Sequence, residues 1–258
     1  MGRKKAISLG YSPDWSQSAL SEKAFGFDLL GFRWTNDPAF DVAGDLGASF
    51  VRWPGGIIAD ALTGAWAEEN FDLSVPGVID RGATRDDLLD VLRDARTQDL
   101  GLTMLAPSER FLSYDPARGR FDLDLAAARE SVSDFVLSLA RGDRFGAGVD
   151  YDIPENFVIQ LHQEYYGVFF PQQYADTPAE AKPIWTKFVT AITTVWREMA
   201  ISIKEAVDTV RKSPGQYEHD DIDIDVATNV GRFQMAEDFS DSWRWSAGSV
   251  ADIDTMTD

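Results

Sequence analysis

Apolar residues recur along this chain at two kinds of interval, and together they predict short strands alternating with amphipathic helices. Six apolar runs read as strands: Phe25 to Leu30, Ala48 to Val51, Leu100 to Ala106, Phe157 to Leu161, Ile222 to Ala227 and Val250 to Met256. The first closes at Phe32-Arg33-Trp34 and the third at Pro107-Ser108-Glu109-Arg110. The second is expected to stop at Arg52-Trp53-Pro54-Gly55-Gly56, because proline and paired glycines do not continue a ladder. Between the strands, Ala39 to Leu46 reads as one or two helical turns. Thr84 caps a helix with Asp86 and Asp87 in its first turn and Leu88, Leu89, Leu92 and Ala95 on one face. A further helix runs from Leu123 to Ala140, with Val132, Phe135, Val136 and Leu139 at helical spacing. The clearest period is carried by Trp185, Phe188, Val189, Ile192, Val195, Trp196, Met199, Ile203, Val207 and Val210, which predict one long helix. Its stripe reads as core packing despite the two tryptophans. A short helix is expected around Gln234 to Asp238.

Strands and helices in alternation imply an α/β fold with a parallel sheet and helical crossovers. The strand-end residues and long loops favour a (β/α) barrel of the TIM type over a flat doubly wound sheet, and six strand candidates make it an incomplete one. Residues 1–23 lack periodicity and read as an amino-terminal arm, leaving 24–258 as a single domain. The irregular stretch from Ile57 to Gly82 is of a length that is usually functional or disordered.

Charge narrows the partners. The 258 residues carry 24 Lys and Arg against 43 Asp and Glu, a net charge of -19, which repels nucleic acid and anionic membrane surfaces. The chain has no cysteine, so disulfides and thiolate metal sites are excluded. Met1-Gly2-Arg3-Lys4-Lys5 has the charge of a signal peptide start, but Ala6 to Ser21 supplies no apolar core for one. No stretch approaches the roughly 18 apolar residues of a membrane span, so no membrane partner is expected.

Several constellations are weighed and set aside. Asp221-Ile222-Asp223-Ile224-Asp225 imitates a calcium loop, yet Val226 stands where glycine is required and Arg232 where glutamate is expected. Its alternation reads as a strand with a polar side, with three acids that point to an open sheet edge. His162 and His219 have no ligand-spaced partner, so no zinc site is expected, and His162 reads as a pocket-wall donor. No phosphate-binding glycine loop or serine elbow occurs, and no cofactor is expected.

The chemistry concentrates at Phe157 to Gly167, where an apolar strand runs into His162-Gln163-Glu164-Tyr165-Tyr166. A carboxylate beside an amide at a strand's carboxyl end, followed by aromatic faces, is the pattern of a general acid over a carbohydrate. The alternative is a strand turning polar as it reaches solvent. Trp34, Trp53, Tyr165, Tyr166 and Phe170 follow strand ends and serve either as sugar platforms or as loop-packing aromatics.

The succession of Arg52-Trp53-Pro54-Gly55-Gly56, Leu105-Ala106-Pro107-Ser108-Glu109-Arg110 and Phe157 to Gly167 resembles the clan-A retaining glycoside hydrolases. The nearest likeness is to arabinofuranosidase- and xylosidase-related domains of secreted bacterial proteins, over residues 24–258. The resemblance implies a carbohydrate substrate, with Glu164 protonating the leaving oxygen and later activating water. Gln163 would take the place of the family's asparagine near the sugar 2-hydroxyl, and Arg52 would orient the nucleophile. His162 and Gln163 depart from the family's small residue and asparagine. The family nucleophile ends a seventh strand, whereas the last strand candidate here is the sixth. Glu109 and Asp258 are the substitutes considered, against their reading as solvated loop carboxylates. The resemblance further implies an extracellular protein exported without a standard signal, a cytoplasmic one being the alternative. The competing classes are a carbohydrate-binding or interaction domain lacking the nucleophile and a barrel fragment. An unclosed sheet would expose edges for self-association.

Overall fold

The computed structural model describes residues 26–30, 38–55, 85–106, 108–161 and 173–227. In chain order these form β1 (Gly26–Leu30), α1 (Pro38–Asp45), β2 (Phe50–Gly55), α2 (Arg85–Thr97) and β3 (Gly101–Leu105). A 3-10 turn (Glu109–Phe111) then leads into β4 (Leu112–Asp115) and β5 (Arg120–Leu123). After them come α3 (Leu125–Arg141), β6 (Phe157–Gln160), α4 (Pro178–Arg211) and β7 (Ile224–Ala227). The expected arm at 1–23, the Thr84 cap, the stretch 57–82, the helix at 234–238 and the strand at 250–256 lie outside the described residues.

The protein is an α/β fold built on a five-stranded sheet in the order β1-β2-β3-β6-β7, with every neighbouring pair parallel. Strands joined by crossovers thus sit side by side in sequence order, with no reversal of direction across the sheet. Among the described residues β1 and β7 are the outermost strands, and no pairing joins them.

Alternation and register sort the sheet into two unlike faces. Val51 pairs with Leu102 and Trp53 with Met104; Leu102 and Met104 pair in turn with Phe157 and Ile159, and Phe157 with Ile224. These residues join the stripes of α2, α3 and α4 in one core. On the opposite face a second row runs Arg52, Thr103, Val158, Asp225 through the same registers, with β1 placing Asp28 at the position beside Arg52.

β2 departs from the sequence expectation by continuing through Trp53-Pro54-Gly55. The ladder to β3 ends at Trp53, and on the β1 side the register shifts between Asp28 and Leu30. Pro54 therefore stands where no regular pair demands its missing N–H, the place a strand tolerates proline.

The antiparallel pair β4–β5 was not expected from the sequence. Leu112 pairs with Leu123 and Tyr114 with Phe121, on the face turned to the core. Its turn is held by Asp115, which accepts from the backbone N–H of Ala117 and Arg118, and Lys187 of α4 donates to the Gly119 carbonyl. The signal was present as two apolar-polar alternations around Pro116-Ala117-Arg118-Gly119.

α4, at 34 residues, is about 51 Å long by the helical rise. Thr177 caps it by accepting from the Glu180 N–H, Pro178 follows in the first turn, and the Glu180 carboxylate accepts from the Asp176 N–H. Arg129 of α3 reaches both Glu198 (3.1 Å) and Glu205 (2.6 Å) of α4, and Ser202 Oγ donates to the Arg129 carbonyl at 2.8 Å. No described helix is long and apolar enough to cross a membrane.

α3 ends in a left-handed cap: Gly142 has φ +77°, its N–H donates to the Leu139 carbonyl, and Asp143 N–H donates to that of Ser138. A Cβ on Gly142 would also run into Glu218 Oε2, the end of an exposed side chain that can swing away. Gly142→Ala is therefore expected to cost about 1–2 kcal/mol, chiefly from the positive φ, read as a lower urea midpoint at unchanged m-value.

Acid titration touches two partly buried carboxylates. Arg197 and Arg129 hold Glu198 below its ordinary range, and Arg118 does the same for Asp115. A depressed folded-state pKa gives stability that is present above the unfolded value, about 4, and lost as pH falls through the folded one. Glu198→Gln is expected to flatten the fall in urea midpoint below about pH 4 only slightly, because the arginines it pairs with reach solvent, which screens them. An identical pH profile down to pH 2.5 would refute it.

Candidate functional site

Each parallel strand delivers its carboxyl end to one side of the sheet, the side on which (β/α) folds collect their chemistry. Here β2 delivers Arg52 to Gly55, β3 leads into Ser108 and Glu109, and β6 ends at Gln160, with only Leu161 before the His162-Gln163-Glu164 run of the sequence. Because β3 lies between β2 and β6, these three strand ends are consecutive neighbours.

The side chains there are shielded from water. Arg52 is half-buried with its Nε shut off from solvent, and both carboxylate oxygens of Glu109 are likewise enclosed. The solvated-loop reading of Glu109 is thereby corrected: the 3-10 turn that follows β3 folds the carboxylate inward instead of releasing it. Thr103 is buried on the polar face, and Gln160 is 0% exposed. Gln160, Thr103 and Ser108 escaped the sequence reading. The available signal was a glutamine alternating with Ile159 in an otherwise apolar strand, on the face opposite to the core.

Ser108 fixes the turn that carries Glu109. It occupies the N-cap position but makes no side-chain cap bond, since its hydroxyl accepts from the Trp196 indole N–H at 2.9 Å. The stripe of α4 therefore anchors the loop after β3 through a buried polar contact.

Trp53 takes the packing role of the two open to it. It is 2% exposed and belongs to the core on the helix side, opposite to Arg52. Trp34, His162, Gln163, Glu164, Tyr165, Tyr166 and Asp258 lie outside the described residues.

The amino-end side of the sheet is chemically different. Tyr151 donates its hydroxyl to the Leu139 carbonyl at 2.8 Å and packs against Phe145 and His219, while Arg144 lies 4.8 Å above the Phe135 ring. Burial, then the charges of Glu218 and Asp143, push the Tyr151 phenol up. A neutral phenol bonded to a backbone carbonyl is a structural lock. Set against protein-family models, curated proteins and solved structures, the chain finds no match.

Proposed function

We propose that this protein is a glycoside hydrolase-like domain on a (β/α) barrel-type scaffold, acting on a polysaccharide or oligosaccharide with Glu164 as general acid/base. The observation that supports it is the sequence-ordered parallel sheet, which brings Arg52, Glu109 and the approach to Glu164 to three adjacent strand ends. Sequence-ordered winding, with α2, α3 and α4 sharing a core with one face, is the arrangement that curls toward a barrel. A doubly wound sheet reverses order midway.

In this reading Glu164 protonates the leaving glycosidic oxygen and then activates water, with Gln163 near the sugar 2-hydroxyl. Arg52 supplies a fixed cation beside the reacting carboxylates. Glu109, whose carboxylate is enclosed at the end of β3, is our candidate for the second carboxyl group. His162, Tyr165, Tyr166 and Trp34 complete the wall against the sugar.

The test is hydrolysis of aryl arabinofuranoside, xyloside, glucoside and glucuronide by the purified chain beside Glu164→Gln. Turnover that disappears in the variant supports the reading. No turnover by the folded parent chain would overturn it in favour of a binding domain.

A further inference from the structure

We propose that the β4–β5 hairpin and the segment entering α4 form an aromatic subsite for a neutral glycan chain, next to the strand ends. This rests on the carbohydrate reading above and deepens it. The hairpin is inserted directly after β3, and α4 begins after β6, so both leave the sheet on the side of the candidate site.

A file of rings links the two. Trp185 and Phe188 of α4 lie 5.3 Å apart, Phe121 lies 5.7 Å from Phe188, and Tyr114 lies 4.9 Å from its cross-strand partner Phe121. Tyr174 meets Tyr114 edge to face at 4.8 Å and is 41% exposed. The file thus begins in the core and surfaces at a tyrosine, a ring with an apolar face and a polar rim. Sugar rings present the matching surface, apolar C–H faces edged by hydroxyls. Tyrosines held in place by packing and by the Lys187 bond to Gly119 lose little freedom on binding.

Charge selects the class of polymer. Beside the rings, Arg118 pairs with Asp115 and Asp122, and Arg120 also pairs with Asp122. With Lys187 on the hairpin turn and Asp176 two residues after Tyr174, three cations stand against three anions, leaving no net local charge to attract a uronate, and the net charge of -19 repels a polyanion at long range. The subsite fits a neutral polysaccharide.

Affinity electrophoresis through gels holding neutral xylan, mixed-linkage glucan or hyaluronan tests this with the parent chain, Tyr174→Ala and Tyr174→Phe. The parent should be retarded by a neutral polymer. Tyr174→Ala should weaken retardation about 2- to 10-fold, the scale of one aromatic contact, and Tyr174→Phe should restore it. Absence of retardation by both neutral polymers, equal retardation of Tyr174→Ala, or comparable retardation by hyaluronan would overturn the proposal. Aryl glycoside turnover by the parent and Glu164→Gln is read separately, so loss of the catalytic reading and loss of the subsite are distinguishable.

Discussion

Hydrolysis by Glu164→Gln is expected to fall about 10²- to 10⁴-fold in kcat, the usual contribution of a positioned general acid, and to fall unevenly across substrates. An alkyl or unactivated aryl leaving group departs as a strongly basic oxyanion unless it is protonated, so it depends on the full acid. A dinitrophenolate is stable without a proton, so its departure should be far less affected. The glutamine keeps the size of the side chain and can still hydrogen-bond, but it cannot donate a proton to the leaving oxygen or take one from water. With the activated substrate the later hydrolysis step, which needs a base, becomes limiting, and a burst of released dinitrophenolate should appear. A loss of equal size on every leaving group, without a burst, would mean that Glu164 binds or packs and does not transfer protons.

The legible part of this fold was the part governed by short-range periodicity. α4 could be read because Trp185 to Val210 repeats over many turns, and β3 and β6 because their apolar runs are bounded by polar residues. The β4–β5 hairpin was missed because each strand has only four residues, interrupted by Ser113 and Asp122. The roles of Arg52 and Trp53 were left open for a related reason, because the strand was expected to stop before them. Once that strand runs through Gly55, alternation forces Arg52 and Trp53 to opposite sides, and only Arg52 stands on the polar face. Burial of the Glu109 oxygens was not legible at all, since it depends on a turn whose anchor, Trp196, lies 88 residues from Ser108.

That anchor carries the largest structural prediction. Trp196→Ala is expected to destabilise the protein by about 3–5 kcal/mol, the range for truncating a large buried aromatic, because its ring lies in the core shared by α4 and the sheet. Ser108→Ala isolates the polar part. The indole N–H would remain buried with its acceptor removed, a cost of about 1–3 kcal/mol, while Trp196→Phe deletes the donor but keeps most of the apolar contact. In a double-mutant cycle Ser108→Ala and Trp196→Phe should couple by about 1 kcal/mol, as contacting residues do. Additive effects in urea denaturation would show that the 2.9 Å contact contributes nothing to the folded state. The cycle also bears on the site, since Ser108 adjoins Glu109. If the indole holds the turn after β3 in place, Ser108→Ala should lower kcat on aryl glycosides at temperatures where the variant is still fully folded. A purely structural Ser108 would leave that rate unchanged, and the stability loss would then be confined to the core.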